Sequence, residues 1–204
     1  MINGIVLRKI DYKETSYILN ILTEDGYETL FNNGVKKKNS NKLAISEPIT
    51  LISYIRSEGR YKTLKEGTVI NEFKNIKENI EILSIASVMT EYVILLEDAN
   101  IDDKKLYNLF KNSLEELNQK EIDGELTLFR FELILLNYIG ISPRKEHLIE
   151  TYNASEELIN SLTSIMNNES SINRSLLREF FKNYYEREGG IVLKSKKLYL
   201  DLVR

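Results

Sequence analysis

Hydrophobic periodicity changes once along this chain, at Phe73, and that change constrains the fold class more than any other feature. Before it, apolar residues alternate with a period near two, as in strands; after it they recur about every 3.6 residues, as in helices. Ile2–Ile10 and Ser16–Leu22 are short, β-branched and aromatic-rich runs. Glu24-Asp25-Gly26 predicts a hairpin turn into Tyr27–Phe31, with the glycine supplying positive φ. The polar stretch Asn32–Ser46 separates this meander from Ile49–Arg56, a strand that Pro48 can open at little cost. A turn at Gly59 leads into Tyr61–Phe73, where Gly67 suggests a bulge or sharp bend. Five short strands with one long basic loop suit a small closed barrel of the OB type.

Beyond Phe73, the apolar positions Ile76, Ile80, Leu83, Met89, Val93 and Leu96 predict one long helix ending near Asp98. Leu106, Leu109, Phe110, Leu114 and Leu117 stripe an amphipathic helix. Glu125–Ile139 is apolar nearly all round, the pattern of a helix buried among other elements, with Gly140 and Pro143 to end it. Asn153 with Glu156 three residues on predicts an N-terminal capping pair for a helix running through Met166. Leu176, Leu177, Phe180, Phe181, Tyr184 and Tyr185 mark a last long helix stopped by Gly189-Gly190, and a basic tail follows from Lys194 to Lys197. The expected class is α+β: a five-stranded OB-type barrel over residues 1–74 and an α-helical domain over 75–204.

Charge separates the same two segments. The whole chain holds 28 Lys and Arg against 31 Asp and Glu, net −3, yet residues 1–74 carry +3 and residues 75–204 carry −6. This is the pattern of an acidic body bearing a basic working surface. A 42% hydrophobic and 29% charged composition excludes wholesale disorder. With no cysteine there are no disulfides, thiolate metal sites or cysteine nucleophile, which fits a reducing cytoplasm. Arg8 and Lys9 interrupt the first apolar stretch before it reaches signal-peptide length, and no apolar run approaches the roughly 18–20 residues of a membrane span. A soluble, cytoplasmic protein is expected.

Few residues offer chemistry. His147 is the single histidine and lies in a polar connector, without a nearby partner for base catalysis and too few companions for a zinc site. No glycine cluster has phosphate-loop spacing, and the pairs Asp102-Asp103 and Glu115-Glu116 read as solvated helix faces. An enzyme, a bound cofactor and a metal are therefore not expected. The basic loop is different: Lys36, Lys37, Lys38 and Lys42 fall within seven residues among Asn and Ser. Such cations either stay solvated or meet phosphates, releasing counterions as they do so. Arg56, Arg60 and Lys62 flank the next hairpin with Tyr54 and Tyr61 between them. Cations interleaved with rings on a barrel suit single-strand binding, in which bases stack on aromatics; the same tyrosines also read as core or cross-strand packing.

Three stretches resemble one known family, in the right order. The opening GIVLRKIDYKETSYILNILTEDGYETLFNNGVKKKNSNK is similar to the start of the bacterial recombination mediator family RecO, including its glycine-then-basic loop, here Gly34 followed by Lys36, Lys37 and Lys38. RFELILLNYIGISP, Arg130 to Pro143, resembles that family's central helix, and LLREFFKNYYEREGGIVLKS its C-terminal helix and Leu-Lys-Ser tail. Many members carry a four-cysteine zinc module after the proline; here Arg144–Tyr152 is a short connector without cysteine, so metal binding does not carry over. The resemblance implies binding to single- and double-stranded DNA, annealing of complementary strands, and loading of the RecA recombinase onto protein-coated single strands. It also implies RecR and the acidic, hydrophobic tail of the single-stranded-DNA-binding protein as partners, and a nucleoid-associated location. The competing reading is a protein-interaction adaptor with weak nucleic-acid binding.

Overall fold

Strand β1 (Ile2–Tyr12) lies at the centre of a five-stranded antiparallel sheet whose other members are β2 (Ser16–Thr23), β3 (Gly26–Asn32), β4 (Thr50–Arg56) and β5 (Leu64–Asn71), in the order β3-β2-β1-β4-β5. The computed structural model describes residues 1–35, 44–167, 169 and 171–202. β1 pairs with β2 from Gly4↔Thr23 to Tyr12↔Ser16, with a bulge between Val6 and Arg8, whereas β4 meets only its first half, from Ile2↔Tyr54 to Val6↔Thr50. A long strand shared in this staggered way, and bulged in its middle, lets a sheet curl upon itself. The outer strands meet at a parallel bridge between Phe31 and Thr63, where the Phe31 N–H donates to the Lys62 carbonyl at 2.9 Å. The barrel interior is filled by Val6, Leu19, Ile21, Leu30, Ile52, Tyr54 and Leu64, and by Val35 and Ile45 from its loops.

A helix completes this unit. α3 (Asp103–Leu117) packs against β2 and β3, and the compact unit comprises Met1–Asn79 with Asp102–Asn118. Ile5 and Leu22, paired across β1 and β2 on the opposite parity from Val6 and Ile21, are also fully buried. Burial on both faces explains why Ser16–Leu22 reads as a nearly continuous apolar run. Asp102 caps α3 by accepting from the Lys105 N–H at 3.0 Å, so one of the paired carboxylates works as a helix cap.

The second unit, Ile80–Ile101 with Gln119–Arg204, contains α2 (Ile80–Leu95), α4 (Gly124–Tyr138), α5 (Lys145–Tyr152), α6 (Glu156–Met166), α7 (Arg174–Gly189) and α8 (Ser195–Leu202). Two buried carboxylates on α4 organise it. Glu132 receives the Lys196 ammonium and the Tyr92 hydroxyl, both at 2.7 Å. Glu125 receives Arg178 at 2.6 Å, Arg174 at 3.1 Å and the Tyr199 hydroxyl. Glu91 on α2 caps α8 from outside it, accepting the Lys194 and Ser195 N–H groups at 3.0 and 2.7 Å. Buried charge is tolerated here because each carboxylate has cationic or hydrogen-bonding partners.

The structure corrects several local expectations. The helix expected from Ile76 to Asp98 is two: α1 (Lys74–Glu78) and α2, separated by an extended Asn79 at φ −114° and ψ 113°. Residues 145–152 form a helix rather than an irregular connector, and Asn153 ends that helix in the left-handed region at φ 47°. Ser155, not Asn153, caps α6, accepting from the Leu158 N–H at 3.2 Å. Gly67 sits in unbroken register opposite Tyr54, and the irregularities in β4–β5 pairing fall at Leu51/Ile52 and Ile55/Arg56. What Gly67 provides is room: a Cβ there would meet Ile45 Cδ1 at 3.2 Å. Lys196 and Lys197 of the basic tail lie in α8, and Lys194 just precedes it. Among the described residues no helix is long and apolar enough to cross a membrane.

Candidate nucleic-acid interface

Three rings line up where the ends of β1, β3 and the β4–β5 hairpin converge. Tyr12 meets Phe31 edge-on with centroids 5.3 Å apart, and Phe31 meets Tyr61 edge-on at 6.1 Å. Lys13 lies over the Tyr12 ring at 5.3 Å and Arg60 over the Tyr61 ring at 5.6 Å. Tyr61 is 67% exposed. Backbone geometry holds this arrangement. Barrel closure at Phe31 and Lys62 fixes the hairpin against β3, and the hairpin neck is tied by Ser57 N–H to the Thr63 carbonyl at 2.9 Å and Thr63 N–H to Ser57 Oγ at 2.8 Å. Gly59 at φ 114° turns the tip, and Lys13 at φ 52° turns the β1–β2 connection. The loops joining strands 1–2 and 4–5 are where OB barrels take oligonucleotides.

Each contact within the row is weak, about 0.5–1.5 kcal/mol for an edge-on ring pair and about 0.5–1 kcal/mol for an exposed cation over a ring. A base stacked on an exposed ring is worth about 1–3 kcal/mol, comparable to or larger than either contact within the row. Of the hairpin cations, Arg60 has no ion pair among the described residues. Arg56 and Lys62 are engaged: Arg56 Nε donates to Glu28 at 2.9 and 3.1 Å, and Lys62 Nζ donates to the same carboxylate at 2.8 Å. Burial opposes charge on Glu28, but the hydrogen bonds from Lys62 and Tyr54 and the two nearby cations outweigh it and hold the carboxyl below its ordinary pKa.

Some expected site residues therefore converge and others do not. Arg60 and Tyr61 join the row directly, whereas Arg56 and Lys62 flank it with their charge shared. Tyr54 is core: it is fully buried and its hydroxyl donates to Glu28 at 2.6 Å, with burial and that carboxylate pushing its pKa up. Lys36, Lys37, Lys38 and Lys42 lie outside the described residues. Tyr12, Lys13 and Phe31 were missed; a Tyr-Lys pair at a strand end was the available signal. The alternative basic patch in the tail is weakened, because Lys196 is buried against Glu132. His147 lies on α5, 3.5 Å from Glu188 and 3.1 Å from the Thr151 hydroxyl.

The comparisons now bear on these features. Residues 1–73 match the family model for the recombination protein O N terminal, and residues 77–161 match that for the recombination protein O C terminal. The chain belongs to the recombination protein O family. The DNA repair protein RecO of Bacillus pumilus (strain SAFR-032) is 34% identical over 152 residues, an alignment covering 72% of this chain and 57% of that protein. The DNA repair protein RecO of Bacillus subtilis (strain 168) is 31% identical over 152 residues, covering 72% and 58%. The chain thus spans little more than half the length of these relatives. Against the DNA repair protein RecO of Exiguobacterium sp. (strain ATCC BAA-1283 / AT1b), 22% identity extends over 240 positions, covering 100% of this chain and 96% of that relative. The OB-type barrel and the helical unit are consistent with the two parts of this family.

Proposed function

We propose that this chain is a DNA-binding recombination mediator whose barrel, residues 1–74, carries the nucleic-acid contacts, while residues 75–204 serve partner recognition without a zinc module. In this reading it binds single- and double-stranded DNA, anneals complementary strands and helps load recombinase onto protein-coated single strands. RecR and the tail of the single-stranded-DNA-binding protein are its partners, and the cytoplasmic nucleoid is its location. The observation that carries the reading is Tyr61: a two-thirds exposed ring on the barrel's β4–β5 hairpin, under Arg60 and in line with Phe31 and Tyr12. Annealing makes and breaks no covalent bond, so it requires no catalytic group, cofactor or metal. It requires cations that screen two phosphate backbones without gripping either.

Lys36, Lys37, Lys38 and Lys42 belong to the proposal as phosphate contacts, beside Arg56, Arg60 and Lys62. The test is binding of a labelled oligonucleotide over a range of salt. If about three of the loop lysines contact phosphates, neutralising them flattens the slope of log affinity against log salt by about 2–3 units and lowers affinity uniformly across sequences. Substituting the exposed tail lysines Lys194 and Lys197, with Lys196 kept because it is buried against Glu132, is the control; a folded tail variant that loses binding while the loop variant keeps it removes DNA from the barrel.

A groove in the helical unit favours the second reading, a protein-interaction adaptor. Leu133, Ile134, Pro143, Leu148, Ile159 and Met166 line a space of about 550 Å³, with Met166 60% exposed. An adaptor binds the oligonucleotide weakly and shows little salt dependence.

A further inference from the structure

Glu28 engages two of the cations expected to meet DNA. It sits on β3 with the inward parity of Leu30 and Asn32, and its side chain is 10% exposed, against 17% for Arg56 and 36% for Lys62. Arg56 approaches it through Nε at 2.9 Å and Lys62 through Nζ at 2.8 Å, both on Oε1, while Tyr54 donates to Oε2 at 2.6 Å. A guanidinium and an ammonium converging on one carboxylate are also what a phosphodiester recruits, because the planar fork and the point charge suit both anions. Glu58, the other acid on Arg56 at 3.1 Å, is 92% exposed and competes weakly.

We infer that Glu28 is a positioning residue that competes with DNA phosphate for Arg56 and Lys62, and thereby sets how loosely the barrel holds a strand. The inference rests on the reading of the barrel as the DNA-binding unit. With Glu28 in place, the two cations offer a passing strand about one net charge; a phosphate gains them fully only by displacing the carboxylate. Exchange between carboxylate and phosphate keeps the strand contact short-lived, as a protein that must release an annealed duplex requires. A purely structural Glu28, pinning β3 to β4 and to the hairpin, would leave the salt dependence of binding unchanged.

The test compares the full chain with Glu28→Gln, using labelled oligo(dT) from about 0.05 to 0.3 M salt, with thermal melting alongside. Gln keeps the size and the Tyr54 hydrogen bond but removes the charge. Expected is several-fold tighter binding near 0.1 M salt and a slope steeper by about 0.7 units, since removing the carboxylate frees one further net positive charge for a single strand. Annealing of complementary oligonucleotides should slow at the release step. An unchanged slope in a folded variant, with the original chain binding DNA, overturns the inference and leaves the reading of the barrel intact. If Glu28→Gln does not fold, the unsubstituted chain decides the matter through the Arg56 Nε–H resonance. A shift on saturation with oligo(dT) supports displacement of Glu28, and an unmoved resonance overturns it. An original chain that fails to bind oligo(dT) overturns both.

Discussion

Tyr61→Ala separates the two roles a tyrosine on a barrel can play. The ring is 67% exposed, touches Phe31 edge-on with centroids 6.1 Å apart, and lies under Arg60 at 5.6 Å. Removing it therefore forfeits one ring pair and one exposed cation contact, and little buried area. At about 0.5–1.5 kcal/mol for the ring pair and about 0.5–1 kcal/mol for the cation contact, the stability loss is about 1–2.5 kcal/mol, or about 2–10 °C in Tm for a chain of this size. Loss of a stacked base shows instead in binding: about 1–3 kcal/mol, a five- to 150-fold drop in affinity for a labelled single strand. Because stacking releases no counterions, the salt slope should stay that of the unsubstituted chain. Fluorescence anisotropy with oligo(dT) at three or more salt concentrations, paired with a thermal melt, reads both quantities. Affinity unchanged alongside a fall in Tm would refute the stacking argument, and a flattened slope would show that the variant acts through Arg60 instead.

Other outcomes follow from the helical unit. Leu136→Ala should cost about 2–5 kcal/mol in a denaturant melt because Leu136 is fully buried, whereas Leu133→Ala, on the half-exposed side of the same helix, should cost clearly less. Lys196→Met strands Glu132 without its cation and should cost about 3–5 kcal/mol, while the added change Glu132→Leu should recover much of that loss; a double-mutant cycle checks it. Asp123 is held below its ordinary pKa by the Arg174 hydrogen bond, and Glu91 is held down by Ser195 and the Lys194 and Ser195 N–H groups despite burial. Lowered folded-state values mean that this stabilisation is complete above the ordinary carboxylate range near 4 and is lost as pH falls through the folded values. Tm should thus stay level from about pH 7 to 5 and drop below 4, with Glu91→Gln reducing the acid-sensitive part.

The strands were legible because their signals are local: alternation in β1 and β3, Gly26 at the hairpin, and a period change at Phe73. The break at Asn79 was not, because Ile76 and Ile80 keep helical spacing across it and one extended residue leaves no mark in a hydrophobic pattern. Nor could periodicity show that the striped helix Asp103–Leu117 packs on the sheet while the helices on either side of it in sequence belong elsewhere; an apolar face does not name its partner. Leu133 shows the same limit from the other side. It belongs to a helix apolar nearly all round, which predicts burial on most faces, yet it lines an open groove. Composition alone cannot distinguish a face covered by the chain from one left uncovered.

The candidate interface was half legible for a related reason. Arg60 and Tyr61 stand out because cation and ring are adjacent in sequence on a hairpin, but their neighbours in the row come from 30 and about 50 residues away, joined only by barrel closure at Phe31 and Lys62. Charge counting treated Arg56, Arg60 and Lys62 as equivalent; geometry divides them, since Glu28 takes the first and third and leaves the second. Glu28 escaped notice because an acid on a strand is ordinary in sequence, and its significance depends on two cations reaching it across the barrel. That distinction has a measurable consequence. If Arg60 is a full phosphate contact and Arg56 a shared one, Arg60→Gln should flatten the salt slope by about 0.7 for single-stranded DNA, and Arg56→Gln by distinctly less. Equal effects would mean that the carboxylate does not shield Arg56 from the strand.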